Sequence, residues 1–143
     1  MNIMFFLTPK SDVAYIDSED SLRQVMEKME YHRYSAVPIV ERNGDYFGTI
    51  TEGDILWFCK DQNDMNLFDA ENIPLIRIPR HVDYRPVNAD SNMEDLINLS
   101  MNQNFVPVVD DMGKFIGIIT RKDIIQYLYN AKHAAFPSNF LKK

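Results

Sequence analysis

The chain has 143 residues, of which 45% are apolar and 25% charged, ordinary globular usage that excludes a disordered or low-complexity chain. No unbroken apolar run exceeds five residues (Ile3 to Leu7 is one), against the roughly 20 that a membrane span needs, and that run lacks the basic flank and small-residue cleavage site of a signal peptide. A net charge of −6 argues against a general nucleic-acid binder, and the single cysteine, Cys59, excludes an internal disulfide and a multi-cysteine zinc site. The expected setting is the cytoplasm, without membrane or nucleic-acid contact.

In chain order, a short strand is predicted at Val13 to Ile16. A helix follows, with Leu22, Val25, Met26 and Met29 on one stripe. Next come an apolar strand containing Val37-Pro38-Ile39-Val40 and a turn at Asn43-Gly44, a strong hairpin signal. The return strand ends at Thr51 and runs directly into a second helix. Residues 60–72 are polar and acidic and read as an exposed connection. The pattern then begins again. A strand at Arg85 to Asn88 precedes a helix carrying Met93, Leu96, Ile97 and Met101, with Ser91 and Glu94 in a capping-box spacing. Val106-Pro107-Val108-Val109, a turn at Met112-Gly113 and a strand ending at Thr120 lead into the last helix.

The two halves are copies. Residues 37–56 and 106–125 align without a gap at an offset of 69, and nine of the twenty positions are identical. Upstream, the match resumes at an offset of 71. Each copy is a β-α-β-β-α unit, too small to be stable alone, so the two are expected to cover each other's apolar sheet faces. The predicted fold is α+β: two pseudo-symmetric repeats packed through their sheets, with two related clefts between them. The expected boundaries are 1–66 for the first repeat with its N-terminal segment, 67–132 for the second, and 133–143 for a tail.

Both copies carry Gly-x-x-Thr-x-x-Asp after the Val-Pro-x-Val strand and glycine turn: Gly48, Thr51 and Asp54, then Gly117, Thr120 and Asp123. The threonine falls where a strand becomes a helix. A helix N-terminus offers unbonded N–H groups and a positive dipole end that favour phosphate. A carboxylate three residues on can accept from a ribose diol. Thr-x-x-Asp is also a variant capping box, which needs no ligand.

Over roughly residues 5–132 this doubled pattern resembles a tandem pair of CBS domains, a Bateman module. The resemblance implies clefts that bind adenosine-containing ligands such as AMP, ADP, ATP or cyclic di-AMP, each cleft joining one motif to the first strand and pre-proline strand of the other copy. For the main cleft it implies Thr120, Arg121, Lys122 and Asp123 facing Thr8, Val13, Ala14, Tyr34, Ser35 and Ala36. For the second it implies Thr51 and Asp54 facing Tyr84, Arg85, Asn104, Phe105 and Val106. Main-chain groups of the first strand would read the adenine edge. The motif spacer is Arg121-Lys122 in one copy and Glu52-Gly53 in the other, so charge favours the former for phosphate. Ser11-Asp12-Val13-Ala14, Tyr34-Ser35-Ala36-Val37-Pro38 and Thr120-Arg121-Lys122 also resemble cyclic di-AMP receptors among small CBS-pair proteins, with acidic Asp12 as a departure.

The implied function is a non-catalytic sensor that requires no cofactor, takes an adenine nucleotide as regulatory ligand and acts on a protein partner. The alternative is a ligand-free scaffold. An enzyme is disfavoured because no nucleophile or paired acid accompanies either aspartate. His32, His81 and His133 have no metal-ligand spacing. Leu56, Phe58, Ile125, Tyr127 and Leu128 exceed what the inter-copy interface can bury and point to a homodimer through the helices. Trp57, without a counterpart in the second copy, reads as packing, with a dimer contact as the alternative.

Overall fold

The computed structural model describes residues 2–62 and 67–134; most of the expected tail, and part of the connection, lie outside them. Eleven regular elements are numbered here in chain order. The first half contains β1 (Thr8–Pro9), β2 (Ile16–Asp17), α1 (Leu22–His32), β3 (Ala36–Val40), β4 (Tyr46–Thr51) and α2 (Glu52–Asp61). The second contains β5 (Val87–Asn88), α3 (Met93–Ser100), β6 (Phe105–Val109), β7 (Phe115–Thr120) and α4 (Arg121–Ala134). They build two sheets, ordered β2-β3-β4 and β1-β7-β6-β5, and the fold is α+β.

Local chemistry sets the element ends. Ser21 and Gln24 form a reciprocal capping box at the start of α1, which ends at Arg33 in the left-handed conformation (φ 59°). The first hairpin turns through Gly44 at φ 97°, while the Asn43 side chain accepts from the Asp45 N–H at 3.0 Å. Pro38 has no N–H to offer β2, and β2 pairs with β3 only from Ile39 onward. The strands expected at Val13 to Ile16 and Arg85 to Asn88 are confined to Ile16–Asp17 and Val87–Asn88, and α3 differs in two details. The cap of α3 is Asn92, whose side chain accepts from Asp95 N–H, so Ser91 lies outside the helix. The same helix stops at Ser100 and leaves Met101 exposed.

The cores are shared across the repeat. Ile16, Leu22, Val25, Met29, Val37, Ile39, Ile50, Ile55 and Phe58 form the first core, and Ala70, Leu75 and Ile78 from the connection complete it. Leu22 N–H donates to the Ile73 carbonyl (2.8 Å) and Leu75 N–H to that of Asp20 (3.0 Å), so the connection is bonded to the first half. Residues 60–72 are thus not wholly an exposed link: Ala70 is buried. The second core is Val87, Leu96, Val106, Val108, Ile119 and Ile124, and its remaining buried member is Ile3 from the N-terminus. β1 then pairs antiparallel with β7, Thr8 opposite Ile118 and Pro9 opposite Gly117. The segment preceding each copy therefore packs on the other copy.

The sheets join where the two hairpin turns meet. Phe115 N–H donates to the Gly44 carbonyl (2.8 Å) and Tyr46 N–H to that of Gly113 (3.3 Å). Lys114 Nζ lies 2.8 Å from Asp45 Oδ1 and holds that carboxyl below its ordinary titration range. Tyr46 and Phe115 stack beside it at 6.2 Å between ring centres.

Gly117 is where the N-terminal strand comes closest. A Cβ there would collide with the Thr8 carbonyl oxygen, a backbone atom that cannot swing aside, and φ is 155°. Gly117→Ala is expected to lower stability by about 1–3 kcal/mol and to expose the amides of Thr8 and Lys10 to faster hydrogen exchange. Denaturant unfolding with exchange mass spectrometry checks both.

Candidate functional site

The main cleft opens between the two sheets as a cavity of about 280 Å³. β1 and the turn after it supply Thr8, Asp12, Val13 and Ala14. The chain entering β3 supplies Tyr34, Ser35, Ala36 and Pro38. The second half supplies Asn104, Phe105, Ile118 and Thr120. Seven of the ten residues assigned to this cleft from sequence thus line it. Asn104 and Phe105, assigned to the other cleft, line it too, as do Asp12 and Pro38 from the segments likened to cyclic di-AMP receptors, and Ile118, which was not assigned. Ile118 lies opposite Thr8 on β7, a proximity legible only once the register is known.

Thr120 ends β7, and its hydroxyl accepts from the Asp123 N–H at 3.1 Å, as an N-cap does. The Arg121 N–H donates to the Asn104 carbonyl (2.9 Å). The remaining motif residues spread outward. Arg121 Nε donates to the Ser100 carbonyl (2.8 Å), which turns the guanidinium toward the end of α3 rather than into the cavity. Lys122 is exposed. Asp123 lines an adjoining groove of about 660 Å³ with Phe5, Phe6, Leu7 and Tyr127. Thr8 borders both spaces. Among the described residues, no donor engages the Asp123 carboxylate.

Ser35 and Asn104 occupy matching positions of the two copies, and Asn104 Nδ2 approaches Ser35 Oγ at 3.5 Å. This contact lies on the approximate twofold axis, at the edge of the cavity. Tyr34 is stacked on its outer side by His32, 5.2 Å between ring centres and 11° from parallel.

The other motif is arranged differently. Asp54 is 1% exposed. Its Oδ2 accepts from Thr51 N–H (2.9 Å), and Thr51 Oγ1 accepts from Asp54 N–H (3.1 Å), a complete capping box. Its Oδ1 accepts from the His81 N–H (2.9 Å) and faces His81 Nδ1 at 2.8 Å. Burial pushes the Asp54 carboxyl up, but the N–H groups of Thr51 and His81 outweigh it, and the net shift is downward. Arg80 lies over the Phe47 ring at 4.8 Å, its guanidinium filling the space above Gly48. Tyr84 is buried against Phe105 and Ala36. Val106 is fully buried in the second core. Arg85 N–H donates to Gln103 Oε1 at 2.8 Å, and Gln103 Nε2 donates to the Arg85 carbonyl at 3.1 Å. Gln103 was missed from sequence, where only a position-by-position comparison with the other cleft singles it out; His81 stands there in the basic stretch Arg77, Arg80, His81 and Arg85, which reads as a solvated loop or, alternatively, a phosphate gate, and not as a partner for Asp54.

Of the five helix residues read as surplus to the core, Leu56, Ile125 and Leu128 are exposed. Phe58 is buried in the first core, and Tyr127 packs edge-on against Phe6 at 5.2 Å. Trp57 is 48% exposed rather than packed away. Among the described residues, no helix is long and apolar enough to cross a membrane, and no cluster of three metal-ligating side chains occurs.

The CBS domain profile matches residues 6–61 and 77–130, and the chain belongs to that family. An uncharacterised protein of Methanocaldococcus jannaschii is 29% identical over 83% of this chain and 86% of its own length. Two solved structures superpose closely. Listeria monocytogenes CbpB in complex with c-di-AMP has a TM-score of 0.80 at 19% identity, covering 94% of this chain and 99% of that one. CBSX2 in complex with AMP has a TM-score of 0.73 at 20% identity, covering 92% and 98%. Similarity at this level establishes the shared fold.

The depressed carboxyl of Asp54 ties stability to pH. A carboxylate whose titration is lowered on folding contributes stability above its ordinary value of 3.8 and loses that contribution as the pH falls through its folded value. The wild-type melting temperature is expected to fall more steeply than that of Asp54→Asn between about pH 5 and pH 2. Parallel slopes in a pH series of thermal melts would contradict the assignment.

Proposed function

We propose that this CBS-domain chain is a non-catalytic sensor that binds an adenosine-containing nucleotide in the cleft between its two halves. The observation that carries the reading is the cleft itself. It joins a small apolar cavity, walled by Val13, Ala14, Ala36 and Phe105, to the start of a 14-residue helix, with Asp123 on its first turn. The apolar walls suit a purine ring. The Thr120 hydroxyl and the positive dipole end of α4 suit phosphate, although the Arg121 and Asp123 N–H groups are bonded to Asn104 and Thr120. Asp123, with no donor engaged among the described residues, suits a ribose diol. The complexes of CbpB with c-di-AMP and of CBSX2 with AMP support the same ligand class. Arg121 and Lys122 serve as flanking charge rather than as cavity lining.

A thermal-shift series with AMP, ADP, ATP and cyclic di-AMP tests the reading. A ligand at 100 times its dissociation constant is expected to stabilise the fold by about 2.7 kcal/mol. Asp123→Ala removes an acceptor of two charge-assisted bonds and is expected to weaken that ligand by roughly 1.5–3 kcal/mol, about 10–150-fold in calorimetric titration. Ala36→Phe, which puts in the cleft the residue found at the matching position of the other copy, is expected to abolish binding while the fold persists. A ligand-free scaffold, the reading that the closed geometry around Asp54 favours, requires that none of these nucleotides shift the melting temperature.

The same reading includes a homodimer through α2 and α4. Leu56, Trp57, Ile125, Leu128 and Tyr129 are between 41% and 60% exposed and leave an apolar surface for a second copy. Light scattering is expected to give twice the chain mass at micromolar concentration. Ile125→Glu is expected to give the single-chain mass without loss of helix content.

A further inference from the structure

The two clefts are built on one motif, yet among the described residues the cavity at the Thr120 motif is lined by its threonine and the facing segment of the other half, whereas the cavity of about 390 Å³ beside the Thr51 motif is lined by Phe47, Arg80, Val82 and Asp83 and reaches neither Thr51 nor Asp54. We propose that the Thr51–Asp54 cleft is a closed pseudo-site in which the chain's own Gln103 and His81 stand where a nucleotide's base and ribose would, so that the protein binds one nucleotide per chain. This rests on the nucleotide reading of the main cleft for its stoichiometry, but not for its geometry.

The position-by-position comparison carries the argument. In the main cleft Ala14 stands before β2, with no loop or turn hydrogen bond from its N–H or carbonyl among the described residues, and Tyr34 stands before β3. In the second, Arg85 corresponds to Ala14 and Gln103 to Tyr34. The Gln103 carboxamide accepts from the Arg85 N–H (2.8 Å) and donates to its carbonyl (3.1 Å). One acceptor beside one donor is also the pattern of an adenine edge, so the base-reading groups are already matched. Gln103 is 3% exposed, and its Nε2 donates also to the Phe105 carbonyl (3.2 Å), which fixes it in place. Space is closed in the same way. Tyr84 replaces Val13 and Phe105 replaces Ala36, and the two rings lie 5.1 Å apart, with Tyr84 4% exposed. Its hydroxyl accepts from the Asn104 N–H at 3.2 Å.

At the ribose end, His81 presents two donors to one carboxylate oxygen of Asp54: its backbone N–H at 2.9 Å and Nδ1 at 2.8 Å, the latter carrying a proton to do so. Arg80, seated over Phe47 and Gly48, anchors the segment that delivers it. Both recognition points of the motif are therefore taken by groups that belong to the fold. Asp54 binds the connection to the first half, and Gln103 binds the Arg85 and Phe105 backbone of its own half, instead of binding a ligand.

Two measurements on the full chain decide this. In calorimetry with the nucleotide that gives the largest thermal shift, one molecule is expected per chain. Asp54→Ala and Gln103→Ala are expected to leave its dissociation constant within about threefold, while lowering the melting temperature by about 5–10 °C through stranded buried donors. Two molecules per chain in the wild type, or a tenfold loss of affinity in Asp54→Ala, would overturn the proposal. The second measurement needs no nucleotide. In the ligand-free protein the His81 and Arg85 amides are expected to exchange slowly. Protection of His81 is expected to be lost in Asp54→Ala, and that of Arg85 in Gln103→Ser. Rapid exchange of both amides in the wild type would overturn the pseudo-site even if the main cleft binds as proposed. If no nucleotide binds at all, the main-cleft reading fails, and amide exchange still decides the pseudo-site. Should the alanine variants not fold, Asp54→Asn and Gln103→Glu, which keep side-chain size, are read by the same exchange experiment.

Discussion

Neither copy of the repeat can cover its own core, and the structure is organised around that shortage. A β-α-β-β-α unit of this length leaves one sheet face and one end of its hydrophobic interior uncovered. The cover comes from the segment that precedes the other copy. Ile3 and β1 close the second core, while Ala70, Leu75 and Ile78 close the first. Backbone hydrogen bonds between the hairpin turns and the Asp45–Lys114 pair then fix the halves in one relative orientation. The clefts follow from this exchange, because each borrowed segment ends beside the partner's strand-to-helix junction. Thr8 is delivered to the Thr120 junction and His81 to the Thr51 junction for the same topological reason.

Once delivered, the two segments do opposite things. β1 lies flat along β7, held at Gly117 by a backbone approach that admits no side chain, and borders a cavity. The corresponding segment of the connection sends Arg80 across Gly48 and turns His81 inward onto Asp54. A conserved-looking motif can therefore persist in sequence for two different physical reasons. Thr51 and Asp54 form a reciprocal capping box that satisfies helix N–H groups and ties in the connection. At Thr120 the hydroxyl caps the helix start, while the Asp123 carboxylate faces the groove. The motif alone does not distinguish the cases; the residues brought against it do.

The doubled β-α-β-β-α order was legible because it rests on strong local signals: the Val-Pro-x-Val strands, the glycine turns, and threonine at each strand-to-helix junction. The helix stripe of Leu22, Val25 and Met29 likewise marks a buried face. The exchange of flanks was not legible. The apolar run Ile3 to Leu7 reads as unassigned, and Ile73 to Ile78 was placed beyond an exposed link, because nothing local says which core a short apolar segment will enter. A faint signal existed, since Thr8-Pro9-Lys10 and Ile78-Pro79-Arg80 both place a proline before a base. The near side of each site was legible to the extent that register is implied by the repeat. The Arg121 side chain lies away from the cavity for a definable reason. Its position beside Thr120 implies phosphate, but a long side chain on the first turn of a helix can reach the uncapped carbonyls of a neighbouring helix, and this one bonds Ser100.

The asymmetry bears on how such a module could transmit a signal. A ligand changes a conformational equilibrium only by the difference in its affinity for two states. Here the Thr51 side is bonded across by Asp54 to His81 and by the Tyr46 hydroxyl to the Tyr84 carbonyl at 2.8 Å, while the cavity side is joined by the pairing of β1 with β7 and by Ser35 with Asn104 at 3.5 Å. A nucleotide touching Val13 and Ala14 from one half and Thr120 from the other would act on the cavity side alone. α4, which begins at Thr120, carries any displacement toward Ile125, Leu128 and Tyr129, the exposed apolar surface where a second copy is proposed to sit.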